Sequence, residues 1–341
     1  MGRWSIEQAK TWYAGQPWLV GCNFLPSSAA GQLEMWQSGT FDATTIDREL
    51  GWARGLGLNC VRVYLHDLLW EVDRSGFCER VDRFLGMAAG HGLRSLLVFF
   101  DDCHRPDPVA GDQPLPVWGV HNSRWNQSPG RAVVERISAG GESAQRELSR
   151  LEGYVRGVLE RFGGDERVLM WDVYNEPGQS ELGETSTALL EAVWGWAWSV
   201  RPAQPLTGCL HGSVGGQNLA LNGRNSDVLT FHCYDGAVLS RTIDEARAVD
   251  PGRPVICTEY MARERGTTFG FALPVLRAAG IGAIHWGHVV GRSQTHFNWG
   301  TRRELAARIA EGRLLRPGDP LPEPALWFHD VLRPDGTPYD A

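Results

Sequence analysis

Two glutamates directly follow short apolar runs of the kind that form buried strands. Glu176 follows the run Val-Leu-Met-Trp-Asp-Val-Tyr-Asn, and Glu259 follows Pro-Val-Ile-Cys-Thr. Carboxyl groups that face each other across a pocket can share the work of cleaving a glycosidic bond, because one protonates the leaving oxygen while the other attacks the anomeric carbon. The sequence therefore predicts an acid/base pair made of Glu176 and Glu259.

The elements that must position these carboxyl groups alternate along the chain. Eight β-rich runs are predicted as strands at 18–24, 59–64, 94–100, 168–174, 204–210, 227–233, 254–258 and 282–286. Helical patterns separate most of them, which is typical of parallel βαβ units. Eight such units close into a barrel whose active face lies at the carboxyl ends of the strands. We therefore predict an α/β fold, a (β/α)8 TIM barrel, with both glutamates at its mouth.

Helix chemistry supports this alternation. Amphipathic helices are predicted at 42–55 with Asp42 as the cap, and at 78–91, 143–162, 184–200, 241–249, 269–279 and 303–311. The segment between the fifth and sixth strands is short and Gly-rich, so we predict no full helix there. Ser5-x-x-Gln8 resembles a capping box for a short helix under the barrel floor.

The chain is predicted to be a single domain over residues 1–341. The barrel covers about 16–300, and a Pro-rich tail at 301–341 is expected to wrap around it. The segment 101–142, after the third strand, is the longest insertion and should form a wall of the pocket, since loops after strands build the active face.

Composition excludes several classes of protein. Among the 341 residues, 43% are hydrophobic and the net charge is −7, so no basic field is available for nucleic acid or an anionic membrane. The N-terminus lacks the apolar core of a secretory signal, which predicts a cytoplasmic enzyme. Of the seven cysteines, those in strand-like runs are expected to be reduced and buried. The 15 tryptophans point weakly to carbohydrate, because indole stacks on sugar rings.

The two glutamate motifs resemble a known family. Asn175-Glu176-Pro177 and Thr258-Glu259-Tyr260 are similar to the signature sites of clan A glycoside hydrolases, especially family 5 and its cellulase-like relatives. The resemblance extends from the first strand to the eighth. It implies that Glu176 is the acid/base, that Glu259 is the nucleophile, and that Asn175 hydrogen-bonds the sugar 2-hydroxyl.

Further residues match the same pattern. Arg62, inside an apolar strand, matches the arginine beneath the nucleophile, where its charge keeps the carboxylate ionised. His232 and Tyr234 match the pair that orients the nucleophile and the acid/base. Trp286 matches the stacking platform beneath the sugar. The resemblance implies that all four contact the substrate or the catalytic glutamates.

The chain departs from the family after the third strand. Family 5 enzymes commonly carry a histidine there, whereas this chain reads Asp101-Asp102-Cys103-His104, and His104 or His121-Asn122 are the alternatives for that role. Aromatic residues in the long loops add further candidates. The expected substrate contacts outside the family pattern are Trp36, Trp118, His121, Asn122 and Trp125.

No metal or cofactor is predicted. His66-Asp67, Asp101, Asp102 and His104 offer metal-binding atoms, but the His-x-His and His-Glu-x-x-His spacings do not occur, and solvated or sugar-binding residues explain them more simply. A P-loop, a dinucleotide fingerprint and a Gly-x-Ser-x-Gly elbow do not occur either.

The sequence thus predicts a retaining β-glycosidase that acts on a small oligosaccharide or glycoside. The long 101–142 segment favours exo action, since it can block one end of the cleft. Three alternatives remain at this point. They are a catalytically silent carbohydrate-binding barrel, an endo-acting β-glycanase of cellulase, mannanase or xylanase type, and a metal-dependent barrel hydrolase.

Overall fold

Eight short parallel strands form the centre of the protein, in a computed structural model that describes residues 2–316, 319–320 and 323–339. They are β1 (Val20–Asn23), β2 (Cys60–Tyr64), β3 (Arg94–Val98), β4 (Val168–Asp172), β5 (Leu206–Thr207), β6 (Leu229–His232), β7 (Val255–Glu259) and β8 (Gly282–His285). Their order in the sheet is β5-β4-β3-β2-β1-β8-β7-β6. Just after β5, the amide of Leu210 donates to the carbonyl oxygen of Thr230 at 2.8 Å. This nearly closed sheet confirms the predicted single-domain (β/α)8 barrel.

Helices surround the barrel. They are α1 (Ile6–Ala14), α2 (Gln32–Trp36), α3 (Ala43–Gly55), α4 (Asp67–Gly90), α5 (Arg131–Ala139), α6 (Gly141–Phe162), α7 (Thr187–Val200), α8 (Gly216–Asn225), α9 (Leu239–Val249), α10 (Phe269–Ala278), α11 (Trp299–Arg303) and α12 (Leu305–Ala310). In the described ranges, none of these helices is both long and apolar enough to cross a lipid bilayer.

Two predicted helix starts are confirmed by their caps. The Asp42 side chain accepts from the amide of Thr45 at 3.1 Å at the start of α3. Ser5 and Gln8 form a reciprocal capping box at the start of α1. Each cap satisfies amides that have no partner inside the helix, which stabilises a helix by about 1 kcal/mol.

Several predicted helix bounds are wrong. A full helix, α8, occupies the segment between β5 and β6, where none is predicted from the sequence. Its inward face carries the buried side chains of Asn218 and Asn222, which donate to the carbonyl oxygens of Val214 and Cys209. A polar inward face leaves no apolar period in the sequence. The helix predicted at 78–91 begins earlier, at Asp67, and the one predicted at 303–311 is divided into α11 and α12.

Apolar side chains fill the barrel below its mouth. The inward-facing residues of the strands form one buried cluster, which includes Leu19, Cys60, Leu96, Met170, Ile256 and Ile284. Outside the sheet, the ring of Phe99 stacks on that of Trp171 with centroids 5.3 Å apart. Burial of each large apolar side chain contributes about 1.5–3 kcal/mol, so the strand ends rest on a rigid base. The strand cysteines are free and buried, as predicted.

The described part of the tail packs against the loops after β7 and β8. Leu332 forms a parallel bridge with Val289, and the Arg263 guanidinium donates to the carbonyl oxygens of Trp327 and Asp330. These contacts bring His329 to the barrel mouth. Residues 317–318, 321–322 and 340–341 of the predicted tail lie outside the described residues.

Candidate active site

Glu176 and Glu259 lie together at the carboxyl ends of the strands. Glu259 is the last residue of β7, and Glu176 follows β4 in a left-handed backbone conformation with φ of 44°. Both line a cavity of about 700 Å³, which is within the usual range for a small-molecule pocket. The strand positions predicted from the sequence thus place both carboxyl groups in one cavity.

The distance between the two carboxyl groups is short. A carboxylate oxygen of Glu176, one of Glu259 and a ring nitrogen of His232 all lie within 4.8 Å of one another. Retaining glycosidases hold their two carboxyl groups about 5–5.5 Å apart, whereas inverting enzymes need about 6.5–9.5 Å to admit a water molecule. The separation therefore suits direct attack by one carboxylate on the anomeric carbon.

Glu259 is held as a carboxylate by three donors. Its Oε1 accepts from Nη1 of Arg62 at 2.7 Å and from the hydroxyl of Tyr64 at 2.6 Å, and its Oε2 accepts from the hydroxyl of Tyr234 at 2.6 Å. Burial alone raises the pKa of Glu259. The charges of His232 and Arg62 and the two hydroxyl hydrogen bonds outweigh burial, so the pKa is lowered from its ordinary value.

Arg62 is the centre of a buried charge network. Its side chain is fully buried, and Nη2 donates to Asp172 at 2.7 Å and to Oδ1 of Asn175 at 2.7 Å. Together with Glu259, these partners compensate a charge that is very costly to bury alone. The predicted place of Arg62, beneath the carboxylate of Glu259, is thus what the structure shows.

Glu176 has a different environment. Its Oε1 lies 2.6 Å from Nδ1 of His232, and its Oε2 accepts from the thiol of Cys103 at 3.1 Å. Gly212 packs against the carboxyl group, where a Cβ atom would lie 2.6 Å from Oε1. The Glu176 side chain is 14% exposed, compared with 5% for Glu259. Both carboxyl groups line the cavity, and Glu176 is the more exposed of the two.

An aromatic wall stands beside Glu259. Trp286, Trp125 and Tyr64 pack edge to face, with centroids 4.8–5.8 Å apart, and Trp286 is only partly buried. Nε1 of Trp125 donates to Asp101 at 2.5 Å, which fixes the ring. This wall offers the apolar surface on which a sugar ring can stack.

Asn175 and Asp101 connect the wall to the charge network. Nδ2 of Asn175 donates to Oδ1 of Asp101 at 2.8 Å. Burial raises the pKa of Asp101 to about 7, although hydrogen bonds from Trp125, Asn175 and the Cys103 amide oppose this rise. Both residues line the cavity, as does His104, the candidate in the same segment.

Three predicted substrate contacts do not line the cavity that holds the two glutamates. Trp36 is fully buried in the core, where Nε1 donates to the carbonyl oxygen of Tyr64 at 2.7 Å. Asn122 is also fully buried, behind the aromatic wall and away from the cavity lining. Trp118 donates to the carbonyl oxygen of Asp319 and supports the tail. Trp36 ends the short helix α2, while Trp118 and Asn122 lie in a loop, and the positions of both segments depend on distant contacts that the local sequence does not encode.

His104 and His121 do line the cavity. Nδ1 of His121 lies 2.7 Å from the carbonyl oxygen of Phe297, and burial lowers the pKa of His121 to about 3. A carbonyl oxygen only accepts, so Nδ1 carries the proton and Nε2 is an acceptor. Burial likewise lowers the pKa of His104, with Arg302 and His121 adding to the effect. Both rings are therefore neutral.

Several residues in or beside the cavity were not predicted as site residues, and four of them stand out by their contacts. Tyr64 and Cys103 contact the two glutamates, while Trp299 and His329 close the side of the cavity near Tyr234. Tyr64 could have been predicted, because it lies two residues after Arg62 in β2 and so faces the same side of the sheet as Arg62. Cys103 comes from a loop, Trp299 from the start of α11 and His329 from the tail, and none of the three has a local signal in the sequence.

The overall structure is similar to solved glycoside hydrolase structures at low sequence identity. GH5_18 from Streptomyces cattleya, solved in complex with GlcNAc, is 16% identical with a TM-score of 0.59, and the match covers 94% of this chain and 76% of that one. The hyperthermostable endo-1,4-β-D-mannanase from Thermotoga petrophila RKU-1 is 13% identical with a TM-score of 0.53, over 80% of this chain and 88% of that one.

A third similar structure is that of the exo-β-1,4-mannosidase Op5Man5 from Opitutaceae bacterium strain TAV5. It is 18% identical with a TM-score of 0.56, and the match covers 94% of this chain and 57% of that one. No family model and no protein of curated function matches the sequence. The resemblance to family 5 glycoside hydrolases is thus confirmed at the level of the fold.

Proposed function

We propose that this protein is a retaining β-glycosidase with Glu259 as the nucleophile and Glu176 as the acid/base. The observation that carries the proposal is the pair of carboxyl groups within 4.8 Å of each other in unlike surroundings. Glu259 accepts three hydrogen bonds and has a lowered pKa, whereas Glu176 is the more exposed to the cavity that both line. A nucleophile must be ionised, and a proton donor must reach the leaving group, so the environments match the two roles.

In the first step, a carboxylate oxygen of Glu259 forms a bond to the anomeric carbon of the substrate. The bond from that carbon to the glycosidic oxygen breaks, and the oxygen takes the proton of Glu176 as the leaving group departs. Tyr64, Tyr234 and Arg62 keep Glu259 in place and ionised until attack. The product of this step is a covalent glycosyl-enzyme.

In the second step, Glu176 acts as a base. It takes a proton from a water molecule whose oxygen attacks the anomeric carbon, and the bond to Glu259 breaks. Two inversions at one carbon give net retention, and Glu176 ends the cycle protonated. His232, 2.6 Å from Oε1 of Glu176, holds the carboxyl group in position through both steps.

We propose a β-linked mannoside at the end of a small oligosaccharide as the substrate. Two of the similar structures are a mannanase and a mannosidase, and GH5_18 variants from Streptomyces cattleya and Bifidobacterium longum were solved with Manβ1-4GlcNAc. A short oligosaccharide fits a cavity of about 700 Å³ better than a long polymer does. A cytoplasmic location, and the absence of nucleic-acid or membrane partners, stay predictions of the sequence.

Exo action is the second part of the substrate proposal. Trp299 packs 5.1 Å from the ring of Tyr234 and 5.7 Å from that of His329, and His329 lies 5.3 Å from His121. His121, Trp299 and His329 come from the 101–142 segment, α11 and the tail, and with Tyr234 they line one side of the cavity near Glu259. A closed side next to the nucleophile favours the end of a sugar chain over its interior. An endo-acting β-glycanase needs an open cleft on both sides of the glutamates.

A panel of 4-nitrophenyl β-glycosides tests the proposal, with the anomer of the first product followed by NMR. We expect turnover of the β-mannoside with initial release of β-mannose. First release of α-mannose contradicts the retaining mechanism, and silence on every glycoside supports a carbohydrate-binding barrel. Internal cleavage of a long mannan supports the endo-acting alternative. Loss of activity on chelation, without loss of folding, supports a metal-dependent hydrolase.

A further inference from the structure

Three side chains with metal-binding atoms meet behind the aromatic wall of the cavity. Cys22 lies in β1, His285 ends β8, and His288 follows three residues later. One sulfur or ring nitrogen from each lies within 4.8 Å of the other two, and all three residues are buried. Cys22 and His285 are also paired across β1 and β8, so the strand ladder fixes two of the three.

The strand geometry separates this cluster from the active site. Asn23 and Ile284, the neighbours of Cys22 and His285, face the barrel interior, where Asn23 accepts from Arg62 at 2.9 Å and Ile284 joins the apolar floor. Successive side chains alternate across a strand. Cys22 and His285 therefore face the layer between the sheet and the helices.

The ring nitrogens of both histidines are available as ligands. Nε2 of His288 lies 2.9 Å from the carbonyl oxygen of Glu49, which only accepts, so Nε2 carries the proton and Nδ1 presents a lone pair. In the described part of the chain, no hydrogen bond of ordinary geometry reaches Nδ1 of His288 or either nitrogen of His285. Buried polar atoms without partners are rare because each costs about 1–3 kcal/mol.

We propose that Cys22, His285 and His288 bind one divalent zinc-class ion, with a water molecule in the fourth position. Tetrahedral zinc has bonds of about 2.3 Å to sulfur and about 2.0–2.1 Å to nitrogen, which place ligand atoms roughly 3.3–3.7 Å apart. The three atoms lie within 4.8 Å of one another, and small side-chain rotations bring them to that spacing. Thiolate with imidazole selects zinc or a similar soft ion over calcium or magnesium, which prefer oxygen.

The surroundings agree with this use of the three residues. The carbonyl oxygen of Glu49 fixes the tautomer of His288, as outer-shell acceptors do for metal-bound histidines.

The ion would fix the position of Trp286, the expected stacking surface for the sugar. Trp286 stands between His285 and His288 in the sequence and lines the cavity, so the two ligands flank it. An ion that joins them to Cys22 in β1 fixes this segment against the barrel. The role is structural, since none of the three ligands lines the cavity that holds Glu176 and Glu259.

Metal content tests the proposal without reference to activity. The full chain is expressed in zinc-supplemented medium, purified without chelators and analysed by plasma mass spectrometry. We expect about one zinc ion per chain, and background values for Cys22→Ser and for His288→Gln. Cys78→Ser, which changes a buried thiol of α4, is the matched control and should keep its zinc. Zinc bound equally by all four proteins, or background zinc in the unaltered protein, overturns the proposal.

Cobalt provides a second measurement, whose decisive outcome is obtained on the unaltered chain. After the unaltered chain is stripped with chelator, Co²⁺ should restore its melting temperature and give a thiolate-to-cobalt absorption band. The band should be missing in Cys22→Ser and present in Cys78→Ser. No band in the unaltered chain overturns the proposal, whatever the glycosidase assays show.

Discussion

Nη1 of Arg62, in β2, donates to Oε1 of Glu259, at the end of β7, over 2.7 Å, and both side chains are almost completely buried. The same guanidinium donates to Asp172 through Nη2. Strands on different sides of the barrel are thus joined through one cation. The charge that supports the proposed nucleophile is also part of the stability of the barrel mouth.

Replacing Arg62 is expected to weaken both the support of Glu259 and the stability of the barrel mouth. Arg62→Met leaves Glu259 and Asp172 buried without their partner, and we expect a loss of about 3–5 kcal/mol in the free energy of unfolding. Arg241→Met removes a pair with Glu245 that is exposed, and should cost less than about 1 kcal/mol. Urea unfolding of the two variants measures the difference. Equal losses would mean that the Arg62 network contributes no more than a surface ion pair.

The nucleophile and the acid/base can be distinguished by azide rescue. Glu259→Gly should lose activity by at least about 10⁴-fold, because the glycosyl-enzyme cannot form. Azide fits the space that the side chain leaves, and it should restore turnover with an α-glycosyl azide as the product. Glu176→Ala with azide should give the β-glycosyl azide, since Glu259 still forms the intermediate. NMR of the products checks both, and the opposite pair of anomers would reverse the two roles.

The acid/base role also predicts a dependence on the leaving group. Glu176→Gln cannot donate a proton, so cleavage of glycosides with poor leaving groups should fall by about 10²–10⁴-fold. A dinitrophenyl glycoside, whose leaving group needs no proton, should form the glycosyl-enzyme at nearly the original rate. Pre-steady-state bursts measure this step. Glu181→Gln, an exposed neighbour, is the control and should behave as the unaltered protein does on both substrates.

The hydrogen bonds to Glu259 predict the acid side of the pH profile. The carboxyl group must be ionised to attack, and its pKa is lowered, so kcat/KM should hold at pH values below the ordinary pKa of a glutamate. Tyr64→Phe removes a donor 2.6 Å from Oε1 and raises that pKa, so activity should be lost at a higher pH than in the unaltered enzyme. Tyr154→Phe removes a hydroxyl that, among the described residues, bonds only the carbonyl oxygen of Phe99, and should leave the profile unchanged.

Much of the fold was predictable because its signals are local. Each βα unit carries its own apolar run and helix period, and Asp42 and Ser5 mark helix starts within a few residues. The helix α8 was not predictable, since Asn218 and Asn222 face inward and satisfy loop carbonyl groups. Hydrophobic periodicity reports only helices whose inward face is apolar.

The same rule separates the site residues that were predictable from those that were not. The glutamates and Arg62 were predictable because a strand position determines where a side chain points. Cys103 lies in a loop, Trp299 begins α11 and His329 lies in the tail, and the paths of these segments depend on contacts such as that between Leu332 and Val289. Such contacts join residues far apart in the chain, and a single sequence does not record them.

Trp286 and Trp36 were both predicted to contact the substrate, but the structure gives them different surroundings. Trp286 lines the cavity and is partly exposed, so Trp286→Ala should raise KM about tenfold through the loss of stacking, with a smaller loss of stability. Trp36 is fully buried between Phe77 and Phe84, so Trp36→Ala should lower the free energy of unfolding by about 3–5 kcal/mol. The fraction of Trp36→Ala that remains folded should have an unchanged KM, because the Trp36 ring has no surface in the cavity. Kinetics and urea unfolding of both variants measure this contrast. An increase in KM for Trp36→Ala as large as that for Trp286→Ala would mean that Trp36 contacts the substrate.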